Sequence, residues 1–447
     1  MVRIFGTDGV RGIANSELSC DLAFKLGRAG AMVLAKNNSR PKILIGRDTR
    51  ISGDMLESAL VAGLCSMGAD VVCAGVIPTP GVSYLVQKLQ MDAGVVISAS
   101  HNPVQYNGIK FFDASGMKLP DELEDEIQLA MDAQVEYIPT GADVGTCTRD
   151  AGLIDVYREF LAANAGRSLS GMTIALDCAN GASSPIAKDL FEGLGATVHV
   201  IHNTPNGTNI NDHCGSTHPE HLVQLVKDTG ADIGLSFDGD ADRLIACDET
   251  GNLMDGDVVM GILAIDLKQK GKLPKDTLTA TVMSNLGLTI AMEKNGIRVV
   301  KTGVGDRYVM EEMLRSGYTI GGEQSGHVIM LHLSNTGDGM QTGLALIGAI
   351  LDSGKKASEL AAQIEILPQV LVNAHVGPTQ KNKYMEDPEI AALIAEIEEE
   401  YKDNGRLLVR TSGTEHLIRV MIEGHDQQAM ERHAHALADL METRLTE

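Results

Sequence analysis

The sequence predicts an α/β protein: three similar mixed-sheet α/β domains followed by a smaller C-terminal α+β domain. Two observations carry this. Runs rich in β-branched and aliphatic residues alternate with helix-periodic segments through most of the chain, and these runs recur in sets of three. Length agrees, because 447 residues exceed one ordinary core when a domain averages about 150.

The first members of the repeat are 42–46, 172–177 and 278–282, each a β-rich run closing in a polar or Gly-containing loop. The second members, 68–72, 195–199 and 296–300, each begin near a glycine after a helical stretch. The third members are 94–97, 233–237 and 318–320. Each third member runs straight into a polar loop. These are Ser98-Ala99-Ser100-His101-Asn102-Pro103, Asp238-Gly239-Asp240-Ala241-Asp242-Arg243 and Gly321-Gly322-Glu323-Gln324-Ser325-Gly326-His327. Ligands of open α/β sheets bind outside the carboxyl ends of strands, so three equivalent loops can converge on one central cleft. The last segment departs from the pattern. Asp387 can cap a helix with Pro388 at its first position. Ile390, Leu393, Ile394 and Ile397 give that helix one apolar face, and strands 406–409 and 417–422 and a terminal helix follow. The expected domains are 1–155, 156–255, 256–368 and 369–447.

Composition narrows the function. Aromatics make up 3% with no Trp, so the core must rest on aliphatic side chains and 20 Met. A net charge of −23 argues against a nucleic-acid partner. It also means that a phosphate-bearing ligand meets a repelling global field, so any anion site must be a local cluster of Arg, Lys and backbone N–H groups. The seven Cys are scattered without a CxxC, which fits reduced thiols of the cytosol. No signal-peptide pattern opens the chain and no apolar run approaches the ~20 residues of a membrane span. A cytoplasmic protein with no membrane partner is expected.

The densest chemistry lies in the second polar loop. Asp238, Asp240 and Asp242 place three carboxylates at alternate positions between two apolar runs. At 4 Å each pair costs about 1 kcal/mol in water and about 4 kcal/mol at an effective dielectric near 20. A cation among the oxygens removes that cost, and hard oxygen donors suit Mg²⁺ or Ca²⁺. An EF-hand reading nearly fits, with Glu249 at the twelfth position, but the sixth needs Gly and holds Arg243. A solvated acidic turn is the remaining reading. The catalytic metal loop is the reading favoured, and its chemistry points to phosphate.

Ser100 is the candidate nucleophile, with His101, Lys110 and a loop-bound Mg²⁺ as the groups that would stabilise a phosphoryl group on it. Spacing alone does not choose between Ser98 and Ser100. A Ser-His-Asp hydrolase is disfavoured, since no GxSxG elbow is present. Three glycines surround Arg11 in Gly6-Thr7-Asp8-Gly9-Val10-Arg11-Gly12, where backbone can approach a phosphate that Arg11 grips; a plain Gly-rich turn is the alternative. Gly46-Arg47-Asp48-Thr49-Arg50 is similar and weaker. Arg410-Thr411-Ser412-Gly413-Thr414, with Arg419, reads as a receptor for a non-reacting phosphate, or else as an exposed turn. Glu323, Ser325 and His327 supply an acceptor, a hydroxyl and a titratable ring suited to sugar hydroxyls.

Five motifs, at 6–12, 98–103, 238–243, 322–327 and 410–415, stand in the order seen in the α-D-phosphohexomutase superfamily, which the chain resembles over its whole length. Asn209-Ile210-Asn211-Asp212-His213-Cys214-Gly215-Ser216-Thr217-His218 and Gly305-Asp306-Arg307-Tyr308-Val309 are similar to the amino-sugar branch. His416 stands where many members carry Pro. The resemblance implies an isomerase that converts glucosamine 6-phosphate to glucosamine 1-phosphate, toward UDP-N-acetylglucosamine and the cell wall. It implies a phosphoserine at Ser100, which chooses between the two serines. It also implies one Mg²⁺ per subunit on Asp238, Asp240, Asp242 and the Ser100 phosphate, and a sugar 1,6-bisphosphate intermediate. In the mechanism expected from this, Lys110 and His327 are the candidates for proton transfer, with Arg11 and His101 beside them, and Arg243, Glu323, Ser325, Arg410, Ser412, Gly413, Thr414 and Arg419 are the candidate substrate-binding residues. Glucose or mannose phosphates are the alternative substrates, and a metal-dependent phosphatase or a calcium-binding module the more distant readings. The sequence leaves a homodimer open.

Overall fold

The computed structural model describes residues 3–6, 8–34, 38, 40–133, 138–377, 379–402, 405–412 and 416–445. They form two compact bodies, Met1–Met283 with Asn295–Gln363 and Ser284–Lys294 with Ile364–Glu447.

The first body contains three sheets among the described residues. The first is built from β1 (Val10–Ile13), β2 (Lys42–Arg47), β3 (Asp70–Val76), β4 (Ala93–Ile97), β5 (Tyr106–Asp113) and β6 (Cys147–Arg149), ordered β1-β5-β4-β2-β3-β6. The second has β7 (Thr173–Asp177), β8 (Thr197–Ile201), β9 (Ile233–Phe237), β10 (Leu244–Asp248) and β11 (Leu253–Met254), ordered β11-β10-β9-β7-β8. The third has β12 (Thr277–Thr281), β13 (Arg298–Thr302), β14 (Ile320–Gly322) and β15 (Val328–Met330), ordered β13-β12-β14-β15.

The repeat seen in the sequence is therefore real in topology. Each sheet holds three parallel strands in the order third-first-second: β4-β2-β3, β9-β7-β8 and β14-β12-β13. The repeat also has a fourth member that the sequence reading did not include. β5, β10 and β15 each pair antiparallel to the third strand. Every polar loop is thus the turn of a hairpin. In the third repeat the strand starts two residues later than expected. The preceding helix, Asp306–Ser316, ends in a left-handed Gly317, and the Tyr318 N–H closes back onto the Met313 carbonyl at 2.9 Å, so Tyr318 belongs to the helix cap.

β4 and β9 are buried along their whole length, as strands covered by helices on both faces must be. Helices α1 (Cys20–Leu34) and α2 (Ser52–Ser66) pack closely beside the first sheet. Glycine makes this approach possible: a Cβ on Gly63 would sit 2.2 Å from the Phe24 carbonyl oxygen, and one on Gly27 would sit 2.5 Å from that of Leu60.

In the second body, β16 (Gln369–His375), β17 (Arg406–Thr411) and β18 (Leu417–Glu423) form an antiparallel sheet ordered β16-β18-β17. β16 was not anticipated. Asp387 caps the helix Pro388–Tyr401 as expected, accepting from the N–H groups of Glu389 and Ile390 at 2.9 and 3.1 Å. Ile390, Ile394 and Ile397 are buried against Val420, Ile422, Leu437 and Met441, with Leu393 partly covered. The helix Leu286–Lys294 joins this body through the buried Glu423, which accepts from Leu286 N–H at 3.0 Å and from Arg406 Nε at 2.6 Å. Among the described residues no helix is long and apolar enough to cross a membrane.

Gly63→Ala should push α1 and α2 apart and lower stability by about 1–3 kcal/mol, the usual cost of overpacking. Denaturant unfolding checks this, and an unchanged midpoint would mean that the helix contact is more compliant than its geometry implies.

Candidate active site

β4 delivers the first polar loop, and the two serines there have different surroundings. Ser98 Oγ donates to the buried Asp48 Oδ2 at 2.6 Å and accepts the Ser100 N–H at 2.9 Å, so its hydroxyl ties the loop to the end of β2. Ser100 is buried with φ +52°, a left-handed conformation rare for a residue with a Cβ. Its Oγ donates to Asp238 Oδ2 at 2.5 Å. Such strain gathers at functional sites, where the surroundings over-determine it.

β9 delivers the acidic loop, turned by a left-handed Ala241 (φ +57°). Asp238, Asp240 and Asp242 are all buried, and each offers a carboxylate oxygen within 4.8 Å of the others. Asp240 Oδ2 accepts from Thr79 Oγ1 at 2.7 Å and from Lys110 Nζ at 3.0 Å. Asp240 Oδ1 and Asp242 Oδ1 are buried with no hydrogen-bond partner among the described residues. Burial, then Asp242 and Asp240, hold the Asp238 carboxyl well above the ordinary carboxylate range. Burial also opposes the charge on Asp242, but His327, Lys110 and Arg243 outweigh it and hold that group low. Orphaned oxygens in an all-oxygen donor set fit a hard divalent cation. Calcium binding of EF-hand type fits poorly, because the loop lies between strands β9 and β10 and Glu249 is turned to the Ser358 N–H and hydroxyl.

Lys110 lies on β5 with its ammonium fully enclosed. Desolvation works against its charge, but Asp240 at 3.0 Å and Asp8 at 2.9 Å raise its pKa and keep it protonated. Arg11, on β1, also pairs with Asp8, and its Nε is buried without a hydrogen-bond partner among the described residues. His101 is a neutral ring. Burial and then the nearby Arg243 and Arg11 pull its pKa down to about 4. Its Nδ1 lies 3.0 Å from Arg243 Nη1; guanidinium only donates, so Nδ1 accepts and His101 is neutral.

The third loop packs against the second, with Leu244 N–H donating to the Gly326 carbonyl at 3.0 Å. His327 Nδ1 lies 3.4 Å from Asp242 Oδ2, and Nε2 accepts the Gly337 N–H at 3.1 Å. Burial lowers the ring's pKa, while Asp242 and Asp306 more than offset this and raise it. Glu323 Oε1 accepts the Gly305 N–H at 3.1 Å, and Ser325 is exposed. The three polar loops therefore meet.

The structure adds residues that the sequence reading passed over. Lys118 bridges Asp8 at 2.6 Å and Asp306, and it lines a cavity of about 220 Å³ with Arg307, His327 and Thr336. A lone lysine after a turn gives no sequence signal. Asp8 and Asp306 stood inside noted motifs, but only as neighbours of Arg11 and as marks of resemblance.

The predicted phosphate loop lies in the second body, where Arg410 and Arg419 face each other across β17 and β18. Burial and then Arg419 lower the Arg410 pKa, and Arg410 Nε is buried without a hydrogen-bond partner among the described residues. Like charges on one rung destabilise a sheet, and an anion between them reverses the sign. The Ser412 N–H donates to the Leu417 carbonyl at 2.9 Å. Gly413 and Thr414 lie outside the described residues.

Four family models match in order: phosphoglucomutase/phosphomannomutase alpha/beta/alpha domain I at residues 2–137, domain II at 155–251, domain III at 255–366 and the C-terminal domain at 371–440. A phosphoglucosamine mutase of Clostridium novyi is 55% identical over 444 residues, covering 99% of both chains. One of a Thermoanaerobacter species is 56% identical over 446 residues, covering 100% of both. The chain belongs to the phosphoglucosamine mutase family. Solved phosphohexomutases share the fold. A Burkholderia thailandensis phosphoglucomutase/phosphomannomutase family protein superposes with TM-score 0.83 at 24% identity, covering 100% of this chain and 98% of its own. An Aspergillus fumigatus N-acetylphosphoglucosamine mutase, solved with GlcNAc-6P and magnesium, gives 0.69 at 19%, covering 100% and 96%. As a phosphoglucosamine mutase family member the chain is an isomerase.

Mg²⁺ should raise the melting temperature of the wild type, by an amount equivalent to about 2.7 kcal/mol at a hundredfold excess over its dissociation constant. Asp238→Asn should fold as well as wild type without metal and lose most of that rise. Equal Mg²⁺ responses in both proteins would move the cation elsewhere.

Proposed function

We propose that the chain interconverts glucosamine 6-phosphate and glucosamine 1-phosphate through a phosphoserine at Ser100 and a sugar 1,6-bisphosphate. One observation carries the mechanism: Ser100 Oγ is 2.5 Å from Asp238, at the edge of a buried acidic triad with two unsatisfied oxygens. Identity of 53–56% across full-length relatives named phosphoglucosamine mutase supports the substrate.

In this reading the phosphoryl group on Ser100 Oγ moves to the free hydroxyl of the sugar monophosphate. The Oγ–P bond breaks as the new O–P bond forms. Mg²⁺ on Asp238, Asp240 and Asp242 would neutralise charge on the phosphoryl oxygens. Lys110 is charged and enclosed, which suits it to protonate Ser100 Oγ as that oxygen departs. His327 is assigned the hydroxyl proton, through the nitrogen that now accepts from Gly337. Arg11, with its unpaired Nε, steadies the phosphoryl group, and neutral His101 donates a hydrogen bond through Nε2. The bisphosphate then turns end for end and returns its original phosphate to Ser100.

Arg243, Glu323 and Ser325 are assigned to the sugar. Arg410, Ser412, Gly413, Thr414 and Arg419 are assigned to the phosphate that is not reacting. The four-part division at about 155, 255 and 368 goes with these roles.

Intact mass should show phosphate on the wild type after incubation with a sugar 1,6-bisphosphate, and none on Ser100→Ala, which should be inactive. A fully active Ser100→Ala would end the phosphoserine mechanism. Turnover on glucosamine, glucose and mannose phosphates side by side tests the substrate. Arg410→Gln should raise KM by about ten- to hundredfold, the worth of a hydrogen bond to a charged group, without loss of stability, because it relieves the repulsion from Arg419. A lower melting temperature with unchanged KM would refute the anion role.

A further inference from the structure

The left-handed conformation of Ser100 is held from outside its own loop. The Ser100 carbonyl oxygen accepts two side-chain donors, Asn211 Nδ2 at 2.8 Å and Arg50 Nη2 at 3.2 Å. The same two groups also reach the Asn102 carbonyl, Asn211 at 3.1 Å and Arg50 at 2.5 Å. Arg50 is fully buried and paired with Asp48, which takes the Ser98 hydroxyl; Ser98 Oγ in turn takes the Ser100 N–H. Ser100 is thus gripped at both its N–H and its carbonyl.

Asn211 comes from the second repeat and has its own brace. Its N–H donates to the Ala179 carbonyl at 2.9 Å. Asp177, at the carboxyl end of β7, accepts from Ala179 N–H at 2.9 Å and Gly215 N–H at 3.1 Å, and its Oδ2 lies 3.0 Å from His202 Nδ1. These bonds engage both oxygens of Asp177 and tie the Ala179 and Gly215 backbone to the end of β7. The metal loop rests on the same point: a Cβ on Gly239 would lie 2.5 Å from the Ser100 carbonyl oxygen and 2.8 Å from Asn211 Nδ2.

We propose that Asn211, with Arg50, clamps the Ser100 and Asn102 carbonyls and so sets the placement of Ser100 Oγ against the acidic triad, making Asn211 a positioning residue for phosphoryl transfer. Among the described residues its side chain donates to these two carbonyl oxygens, not to Ser100 Oγ or a triad carboxylate. The proposal rests on Ser100 being the phosphoryl carrier.

The test uses Asn211→Asp and Asn211→Gly, since Asn211 itself has φ +57° and both replacements tolerate that backbone. Asp keeps the shape and replaces a donor by an acceptor facing two carbonyls; Gly removes the side chain. Both should lower kcat by about ten- to hundredfold, the scale of a misplaced reacting group, with KM within about twofold of wild type. Transfer from glucose 1,6-bisphosphate to Ser100, followed by intact mass, should slow by the same factor, and the melting temperature should change little. If Asn211→Asp unfolds, Asn211→Gly decides. Wild-type transfer rates in a folded variant, or a rise in KM alone, would overturn the clamp. Failure of the wild type itself to take up phosphate would instead overturn the carrier role of Ser100.

Discussion

Three carboxylates buried on one short turn are the constraint that the rest of this site answers. Burial and mutual repulsion drive the Asp238 proton affinity up, and the neighbouring side chains are arranged around that fact. Lys110 and Thr79 satisfy one oxygen of Asp240, His327 stands against Asp242, and Ser100 donates to Asp238. The oxygens left over define a receptor for positive charge. Arg11, Lys110, Lys118 and Arg243 bring four cations to the carboxylates of the site within a chain whose net charge is −23. Asp8 helps to keep Lys110 charged, and Asp306 with Asp8 does the same for Lys118, while partly neutralising them.

The three repeats explain how residues more than two hundred positions apart come together. Each sheet places its third strand centrally and sends a polar turn from that strand's carboxyl end. One turn carries the hydroxyl, the next the carboxylates, the last the imidazole. A single architecture supplies three different chemistries because only the turn changes.

Much of this was legible in the chain. The alternation of strands and helices, the threefold recurrence, the Asp387 cap and the Ile390, Ile394, Ile397 face are local patterns, and local patterns survive folding. Alternate carboxylates announced a cation because their repulsion is a property of the loop itself. What stayed hidden was the pairing of distant residues. Lys118 looks like any lysine until Asp8 and Asp306 close on it. Ser98 and Ser100 are equivalent by spacing, and distant partners separate them: Asp48 takes the Ser98 hydroxyl, and Asp238 of the acidic triad takes that of Ser100. The neutral state of His101 depends on burial and on Arg243, from the second sheet's turn. β5, β10 and β15 escaped the repeat because an antiparallel partner has no required sequence signature beyond that of any strand. β16 was passed over because seven alternating residues after a long helical region give a weak signal.

The hairpin form of these turns carries a mechanical consequence. A turn anchored by strands on both sides cannot drift on its own; it travels with its sheet. A cation lodged between the first two turns would therefore act as a rivet across two sheets, and any rotation of one against the other would be felt at once as a change in the gap between oxygen atoms. The centre of reaction and the hinge of the scaffold would then be one and the same place.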